Sequence, residues 1–253
     1  FRDDKESGHG TVDMYKSIVE SCDTYYYLLA RDMGVDMIHD QMKELGFGQM
    51  TGIDISGEAR GILPSTQWKR TSYKRPEQQR WYSGETISLG IGQGYNSFTM
   101  LQLAQATATV ANNGVKFKPR LIIGTQDPVT RSVTPVETPQ AFDLGYKPEH
   151  VEIVKRAMVG VVQGGTSAQV FAGAAYESGG KTGTAQAVGI GQKDKYNASK
   201  LEEHQRDHSL YIAFAPLDKP TVALAVIVEN SGFGSMSAAP IARRVFDYLL
   251  LGQ

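Results

Sequence analysis

A single cysteine, Cys22, occurs in the 253 residues, so no intrachain disulfide can form and thiols say nothing about redox compartment. Excess charge of one sign is also missing, with 26 Lys and Arg against 27 Asp and Glu, a net charge of −1. Without a basic surplus there is little to neutralise a run of phosphates, which argues against nucleic acid as a partner. Long apolar runs are lacking too. The longest, Val222–Val228, falls far short of the roughly 20 residues that cross a bilayer, and the opening residues carry no signal-peptide pattern. No initiating methionine is present: the chain opens Phe1-Arg2-Asp3-Asp4 and enters helical patterning almost at once, so it reads as a cut piece. Internal repeats and low-complexity segments are absent. Apolar residues at 41% and charged ones at 21% exclude a mainly disordered chain, and the length suffices for one core plus a small lobe.

What is present is organised around Gly179-Gly180-Lys181-Thr182-Gly183-Thr184-Ala185-Gln186. Lys181 offers a compact positive charge, and Thr182 and Thr184 offer hydroxyls that donate and accept. Gly183 has no Cβ, so a ligand can approach the backbone there. On a sheet edge, the Thr184 N–H is free to face a developing oxyanion. Taken alone, the same letters also describe a solvated Lys-Thr-Gly turn.

Apolar spacing over residues 11–34 predicts two helices meeting near Ser21, because Ser21 and Asp23 are both capping residues, with Gly34 ending the second. A third helix is predicted over 35–45, another over 99–112 stopped by Asn113-Gly114, and one over 148–162 closed by Gly164-Gly165. Residues 49–97 have many breakers and little periodicity, and read as a long wrapping loop; loops of that length are more often functional than idle. Residues 115–145 read as short strands and turns. Strand patterning at 209–215 and 221–229, separated by five residues, predicts an antiparallel hairpin, since a parallel pair needs a crossover of a dozen or more. A third strand is predicted at 181–188, joined through the polar segment 189–207. Pro240 is expected to open a last helix that runs to residue 251.

Two other motif readings compete. Residues 175–182 fit a permissive phosphate-loop pattern, with Glu229 as the acidic strand end, which would make the chain a nucleotide binder. That motif requires a buried parallel strand leading into a helix, whereas Gly183, Gly189 and Gly191 follow here. Ser178-Gly-Gly-Lys181 is the one formal Ser-x-x-Lys match, and its two glycines make a helical turn improbable.

Taken together, Ser21-Cys22-Asp23, Gly92-Gln93-Gly94 before a helix ending Ala111-Asn112-Asn113-Gly114, Lys181 to Gln186, and a strand ending Phe214-Ala215-Pro216 resemble the transpeptidase domain of class B penicillin-binding proteins. Phe1-Arg2-Asp3, Gly8-His9-Gly10 and the Ser-Cys-Asp form point more narrowly to the elongation enzymes of Gram-negative bacteria. The resemblance implies an α+β penicillin-binding and serine β-lactamase-like fold, an antiparallel sheet flanked by helices, of which residues 1–253 are the C-terminal portion. It implies serine-type D,D-transpeptidation of D-Ala-D-Ala stem peptides, β-lactams as inhibitors, and no cofactor for the chemistry. Ser21, Asp23 and Lys181 would be catalytic: Ser21 relaying a proton to the leaving amine, Asp23 orienting its neighbours. Thr182, Gly183 and Thr184 would bind substrate. Many relatives carry Asn where Asp23 stands, and an ionised carboxylate cannot donate as that amide does.

The family's nucleophile lies in a Ser-x-x-Lys helix expected before Phe1, together with the first strands of its five-stranded sheet, so the isolated polypeptide is expected not to be acylated. The resemblance also implies periplasmic placement, an upstream inner-membrane anchor and a glycan polymerase of the rod-shape machinery as partner. A serine β-lactamase, a penicillin-sensing domain or a non-enzymatic scaffold of wall synthesis are the alternatives. Asp3, His9 and Cys22 are competent zinc ligands close in sequence, although Cys22 could equally be a small buried hydrophobe. The resemblance favours a structural zinc bracing the segment around Ser21, with a fourth ligand upstream. His39, His150, His204 and His208 read as surface or packing residues.

Overall fold

The computed structural model describes Asp3, Lys5, residues 7–188 and residues 201–253. Residues 189–200 of the expected 189–207 connection, and Phe1 and Arg2 of the opening motif, lie outside the described residues.

The chain begins with helices α1 (Met14–Val19), α2 (Asp23–Met33) and α3 (Val35–Glu44). Asp13 caps α1 by accepting from the Lys16 N–H at 2.8 Å, and Gly34 ends α2 with φ +77°. The expected meeting point at Ser21 is there, but its capping chemistry differs. Cys22 occupies the N-cap of α2, and the carboxylate of distant Asp3 accepts from the Thr24 N–H at 3.0 Å. Ser21 instead takes the left-handed conformation, φ +57°, rare for a residue with a Cβ.

Residues 49–97 hold more structure than their breakers suggest. They form α4 (Thr66–Ser72), α5 (Pro76–Gln79) and α6 (Ser83–Gly90), and Ile62 bridges Ser97. Ser65 caps α4 by accepting from the Trp68 N–H, and α6 starts on a Glu85 side chain that accepts from the Tyr82 N–H at 2.8 Å. Helix α7 (Met100–Ala111) begins with a reciprocal Thr99 and Gln102 capping box. Two small antiparallel pairs then follow, β1 (Val115–Phe117) with β4 (Ala141–Asp143), and β2 (Gly124–Gln126) with β3 (Val133–Pro135).

Helix α8 (Pro148–Gln163) and the short α9 (Ala168–Phe171) lead into a three-stranded antiparallel sheet. Its order is β5 (Gly179–Ala185), β6 (His208–Ala215), β7 (Val222–Val228), with Lys181 opposite Ile212 and Thr184 opposite Ser209. The predicted hairpin is β6–β7. Because β5 is an antiparallel strand and no helix follows Lys181 directly, the phosphate-loop reading fails. Ser178 and Lys181 are likewise not one helical turn apart, so that match is a coincidence of letters. The last helix, α10 (Ala238–Phe246), starts two residues before Pro240 and gives way to a wider turn over 247–251.

The main core lies between the sheet and helices α9 and α10, where Tyr211, Ala213, Ala238, Ala242 and Phe246 are fully buried. Tyr211 crosses under β5 and bonds Ser167 Oγ at 3.0 Å, in space that only a glycine at position 180 leaves open. On the other side, α1 lies on α8 at Gly160, where a Cβ would come within 2.6 Å of both Val19 Cγ2 and Tyr15 Oη. That close approach sets the end of α1, and hence Ser21, beside β5.

Candidate active site

Strand β5 is an edge of its sheet among the described residues, and the site is built along it. Lys181 Nζ donates to Ser21 Oγ at 2.8 Å and to the Thr182 carbonyl at 2.9 Å. The ammonium is thus held over its own strand with the hydroxyl of the α1–α2 corner against it. Thr182 Oγ1 meets Thr166 Oγ1 at 2.9 Å, immediately after the Gly164-Gly165 end of α8. Gly183 pairs with Leu210, and the Gly234 backbone packs against it so closely that a Cβ there would overlap the Gly183 carbonyl.

Thr184 places its carbonyl on Gln93, whose Nε2 donates at 2.7 Å, while Gln93 Oε1 accepts from the Gln186 N–H at 3.4 Å. In an extended strand the N–H and C=O of one residue face the same edge. The Thr184 N–H therefore also points outward, the orientation an oxyanion donor needs. Asp23 opens α2 one turn before Tyr27, whose phenol is pushed up to about 12, first by burial and then by the Asp23 and Asp3 carboxylates. The structure thus brings Ser21, Lys181, Thr182 and Thr184 to one strand edge, with Asp23 on the helix that follows Ser21.

Three contributors have no role in the motif reading. Thr166 follows a glycine pair that reads only as a helix stop, and Gln93 belongs to the Gly92-Gln93-Gly94 landmark of the resemblance without a role there, held between Gly92 at φ +79° and Gly94 at φ +74°. The third is a buried cluster under that turn. Lys69, 4% exposed at its side chain, pairs with Glu85, and Tyr95 donates to Glu85 at 2.8 Å. The Lys69 ammonium lies 5.4 Å from the ring centroids of Trp81, Tyr82 and Tyr95. Burial alone would raise the Glu85 carboxyl, yet bonds from Lys69, the Tyr82 N–H and Tyr95 hold it below the ordinary glutamate value. A basic and an acidic residue 16 positions apart in a region without periodicity give no sequence signal for such a pair.

The ligand atoms of Asp3, His9 and Cys22 lie within 4.8 Å of one another. His9 Nδ1 is 3.1 Å from one Asp3 oxygen and Cys22 Sγ 3.4 Å from the other. Donors around a tetrahedral zinc stand roughly 3.3 to 3.8 Å apart, given metal–ligand lengths of about 2.0 to 2.3 Å. A thiol, an imidazole and a carboxylate fit zinc in donor type, and the 3.1 and 3.4 Å separations from the two Asp3 oxygens lie near that range. Burial pushes the Cys22 thiol up, and the Asp3 carboxylate adds to it, when no cation faces them. Of the remaining histidines, His39 meets the Pro64 carbonyl at 3.2 Å and His208 accepts from the Asn230 N–H at 3.0 Å, which are packing roles.

Residues 1–247 match the family model of the penicillin binding protein transpeptidase domain. The chain is 43% identical over 254 residues to the peptidoglycan D,D-transpeptidase MrdA of Haemophilus influenzae, covering 99% of this chain and 38% of that protein. It is 38% identical over 257 residues to MrdA of Escherichia coli K12, covering 39% of its length. The chain therefore spans about two fifths of the curated relatives it matches. Among solved structures it superimposes on Pseudomonas aeruginosa PBP2 in complex with WCK 5153 with a TM-score of 0.82 at 38% identity, over 99% of this chain and 52% of that one. It also superimposes on PBP2 of Helicobacter pylori in complex with MreC, with a TM-score of 0.80 at 27% identity, over 100% of this chain and 43% of that one.

Proposed function

Because this chain belongs to the penicillin-binding protein transpeptidase domain family, we propose that it forms the substrate-binding and proton-relay side of a peptidoglycan D,D-transpeptidase centre. The observation that carries this reading is the Lys181 ammonium on the Ser21 hydroxyl, 2.8 Å apart, at the open edge of β5. A D-Ala-D-Ala-terminated stem peptide would lie along that edge with its carboxylate on Lys181, Thr182 and Thr184. The Thr184 N–H would then donate to the carbonyl oxygen of the scissile bond, a kind of contact typically worth about 3 kcal/mol of transition-state stabilisation.

The nucleophile is a serine of a Ser-x-x-Lys helix, which we assign to sequence outside these 253 residues, since Ser178 and Lys181 are not helically related. Its oxygen bonds to the penultimate D-Ala carbonyl carbon, and the bond from that carbon to the terminal D-Ala nitrogen breaks. The proton that the attacking serine loses reaches the leaving nitrogen through Ser21, whose hydroxyl can receive one while handing on another. An amine of a neighbouring strand then attacks the ester and releases the serine, so one hard amide exchange becomes two easier steps. β-Lactams would occupy the same edge. Asp23 orients the α1–α2 corner through the first turn of α2.

Zinc, when bound, would cross-link that corner without taking part in the chemistry, held by Asp3, His9 and Cys22 with a fourth ligand upstream. The H. pylori complex with MreC supports a partner in the rod-shape machinery. None of the helices of the described residues is long and apolar enough to cross a membrane. Kinship with the peptidoglycan enzyme MrdA supports our reading of a periplasmic placement, with an inner-membrane anchor upstream as part of that proposal.

The test is D-Ala release and covalent labelling by fluorescent penicillin in a protein that joins this chain to the Ser-x-x-Lys helix. Lys181→Ala should slow acylation by about 100-fold or more. Labelling at the wild-type rate in that variant would remove Lys181 from the site.

A further inference from the structure

Thr166 borders the site beside β5 and has no part in the chemistry assigned above. Its Oγ1 lies 2.9 Å from Thr182 Oγ1, and the residue is exposed. The turn that carries it is pinned on both sides. Gly165 lies so close to the end of α1 that a Cβ there would come within 2.5 Å of the Val19 carbonyl oxygen, and its N–H donates to the Gly160 carbonyl at 2.9 Å. Ser167 is buried, and its N–H and Oγ both donate to the Val161 carbonyl at 3.2 Å, while Oγ also meets Tyr211 Oη beneath β5. The contact between α1 and the end of α8 that places Ser21 thus also holds Thr166 against the strand.

A hydroxyl has one proton and two lone pairs, so a bond between two hydroxyls uses one proton and leaves the other free. An ionised carboxylate only accepts. On the reading above, on which this inference rests, the terminal carboxylate lies on Thr182. The Thr182 O–H must then point at the ligand, and the bond between the two threonines must run from Thr166 to Thr182. Accepting that bond polarises the Thr182 hydroxyl and fixes its rotor, which strengthens its donation. With Thr166 removed, the rotor is free and must be ordered by each ligand that binds.

We propose that Thr166 is a positioning residue for carboxylate recognition, which donates to Thr182 and so aims the Thr182 hydroxyl at the terminal carboxylate of a stem peptide or β-lactam. It acts through Thr182, and the pinned turn on either side of it keeps the aim constant from one turnover to the next.

A double-mutant cycle tests this, read as the second-order rate constant for acylation by fluorescent penicillin in the protein that joins this chain to the Ser-x-x-Lys helix. Thr166→Val keeps the shape and deletes the hydroxyl, and should lower the rate about fivefold, the worth of about one net hydrogen bond. Thr166→Ser restores the donor and should stay within about twofold of wild type. In a Thr182→Val background, Thr166→Val should change the rate by less than about twofold, because the group it aims is gone. Thr166→Ala repeats the cycle if an exposed valine impairs folding. A fivefold loss that persists without the Thr182 hydroxyl would mean that Thr166 only supports the shape of β5, and overturns the proposal. So does an undiminished rate in both Thr166→Val and Thr166→Ala, or a loss in Thr166→Ser as large as in the valine variant. Each of those results leaves the transpeptidase reading intact, whereas a wild-type protein that is not acylated at all overturns that reading and this inference with it.

Discussion

Lys181 Nζ and Ser21 Oγ are hydrogen-bonded at 2.8 Å across 160 residues of sequence, and the serine is held there in the left-handed backbone region at φ +57°. A residue with a Cβ in that region stores on the order of 1–2 kcal/mol. The α1–α8 contact at Gly160 maintains it, so the corner spends stability on placing a hydroxyl.

Comparing two variants that both delete this hydroxyl isolates the strain. Ser21→Gly relaxes the backbone and Ser21→Ala does not, so the glycine variant should be more stable than the alanine one by about 1 kcal/mol. Paired urea denaturations measure the difference. Equal midpoints would mean that Ser21 is unstrained.

How much of this was legible in the sequence depends on the range of the interaction. The β6–β7 hairpin, the break at Ser21 and the stop at Gly34 are local events, written in turn residues and alternation, and they were readable. Thr182, Thr184 and Lys181 were readable as chemistry because three polar groups crowd one short strand. The capping of α2 by Asp3, the Gln93 contact with β5 and the Lys69–Glu85 pair join residues far apart, and no periodicity encodes them. Helix α6 was hidden for a related reason: its Gly84 and Gly90 lower its propensity, and packing against α2 and its Glu85 cap supply what propensity lacks. Even the resemblance to known transpeptidases marked Gly92-Gln93-Gly94 as a landmark without saying what Gln93 touches.

The glycine at 180 is a packing requirement. A Cβ there would overlap the hydroxyl of Tyr211, which is fully buried and tied to Ser167 Oγ. Gly180→Ala should therefore cost about 1–3 kcal/mol and lower Tm by roughly 5 °C. Gly183→Ala, whose Cβ would meet only Leu210 Cβ at 3.3 Å, should cost less. Calorimetry of the two variants ranks them, and the reverse order would contradict the packing described for β5.

Glu85 gives the fold a pH dependence of definite sign. Its folded carboxyl sits below the ordinary glutamate value of 4.5, so its contribution is present above that pH and is lost as pH falls through the lowered value. Glu85→Gln leaves the Lys69 ammonium buried against a neutral partner, and at pH 7 it should destabilise by about 3 kcal/mol. As pH falls below 4.5 and through the lowered value, the gap to wild type should narrow, because protonation neutralises Glu85 in the parent as well. A gap that stays constant as the pH is lowered until the parent itself unfolds would refute the pairing.

The 253 residues alone should not form a stoichiometric covalent adduct with fluorescent penicillin. The one Ser-x-x-Lys match runs into β5, and Ser178 is only 2% exposed, so among the described residues no serine of such a motif is presented with a lysine one helical turn away. Ser21 is close to Lys181, yet its role in the proposed chemistry is to move a proton, and Ser21→Ala should leave the blank result unchanged. Gel fluorescence and intact-mass measurement check both proteins. A single adduct that vanishes in Ser21→Ala would make Ser21 the nucleophile and reverse the assignment of roles.

Metal content tests the brace under the Ser21 corner. Asp3 binds the Thr24 N–H, Cys22 and His9 together, so it ties the start of the chain to the N-terminus of α2, and an ion among the three would lock that tie. Protein purified without chelator and joined to its upstream sequence should hold about one zinc per chain by mass spectrometry of the metal, since a complete site takes four ligands. Cys22→Ala should lose the metal, because a thiolate contributes the most strongly held of these donors. Chelation should lower Tm by mass action, and added zinc should restore it. Ser21 would lose its placement along with the metal, so acylation should slow in the chelated protein even though zinc takes no part in the reaction. Protein free of zinc in which Cys22 stays buried and Tm ignores chelator would reduce the cluster to the hydrogen bonds already visible, with Asp3 as a helix cap and nothing more.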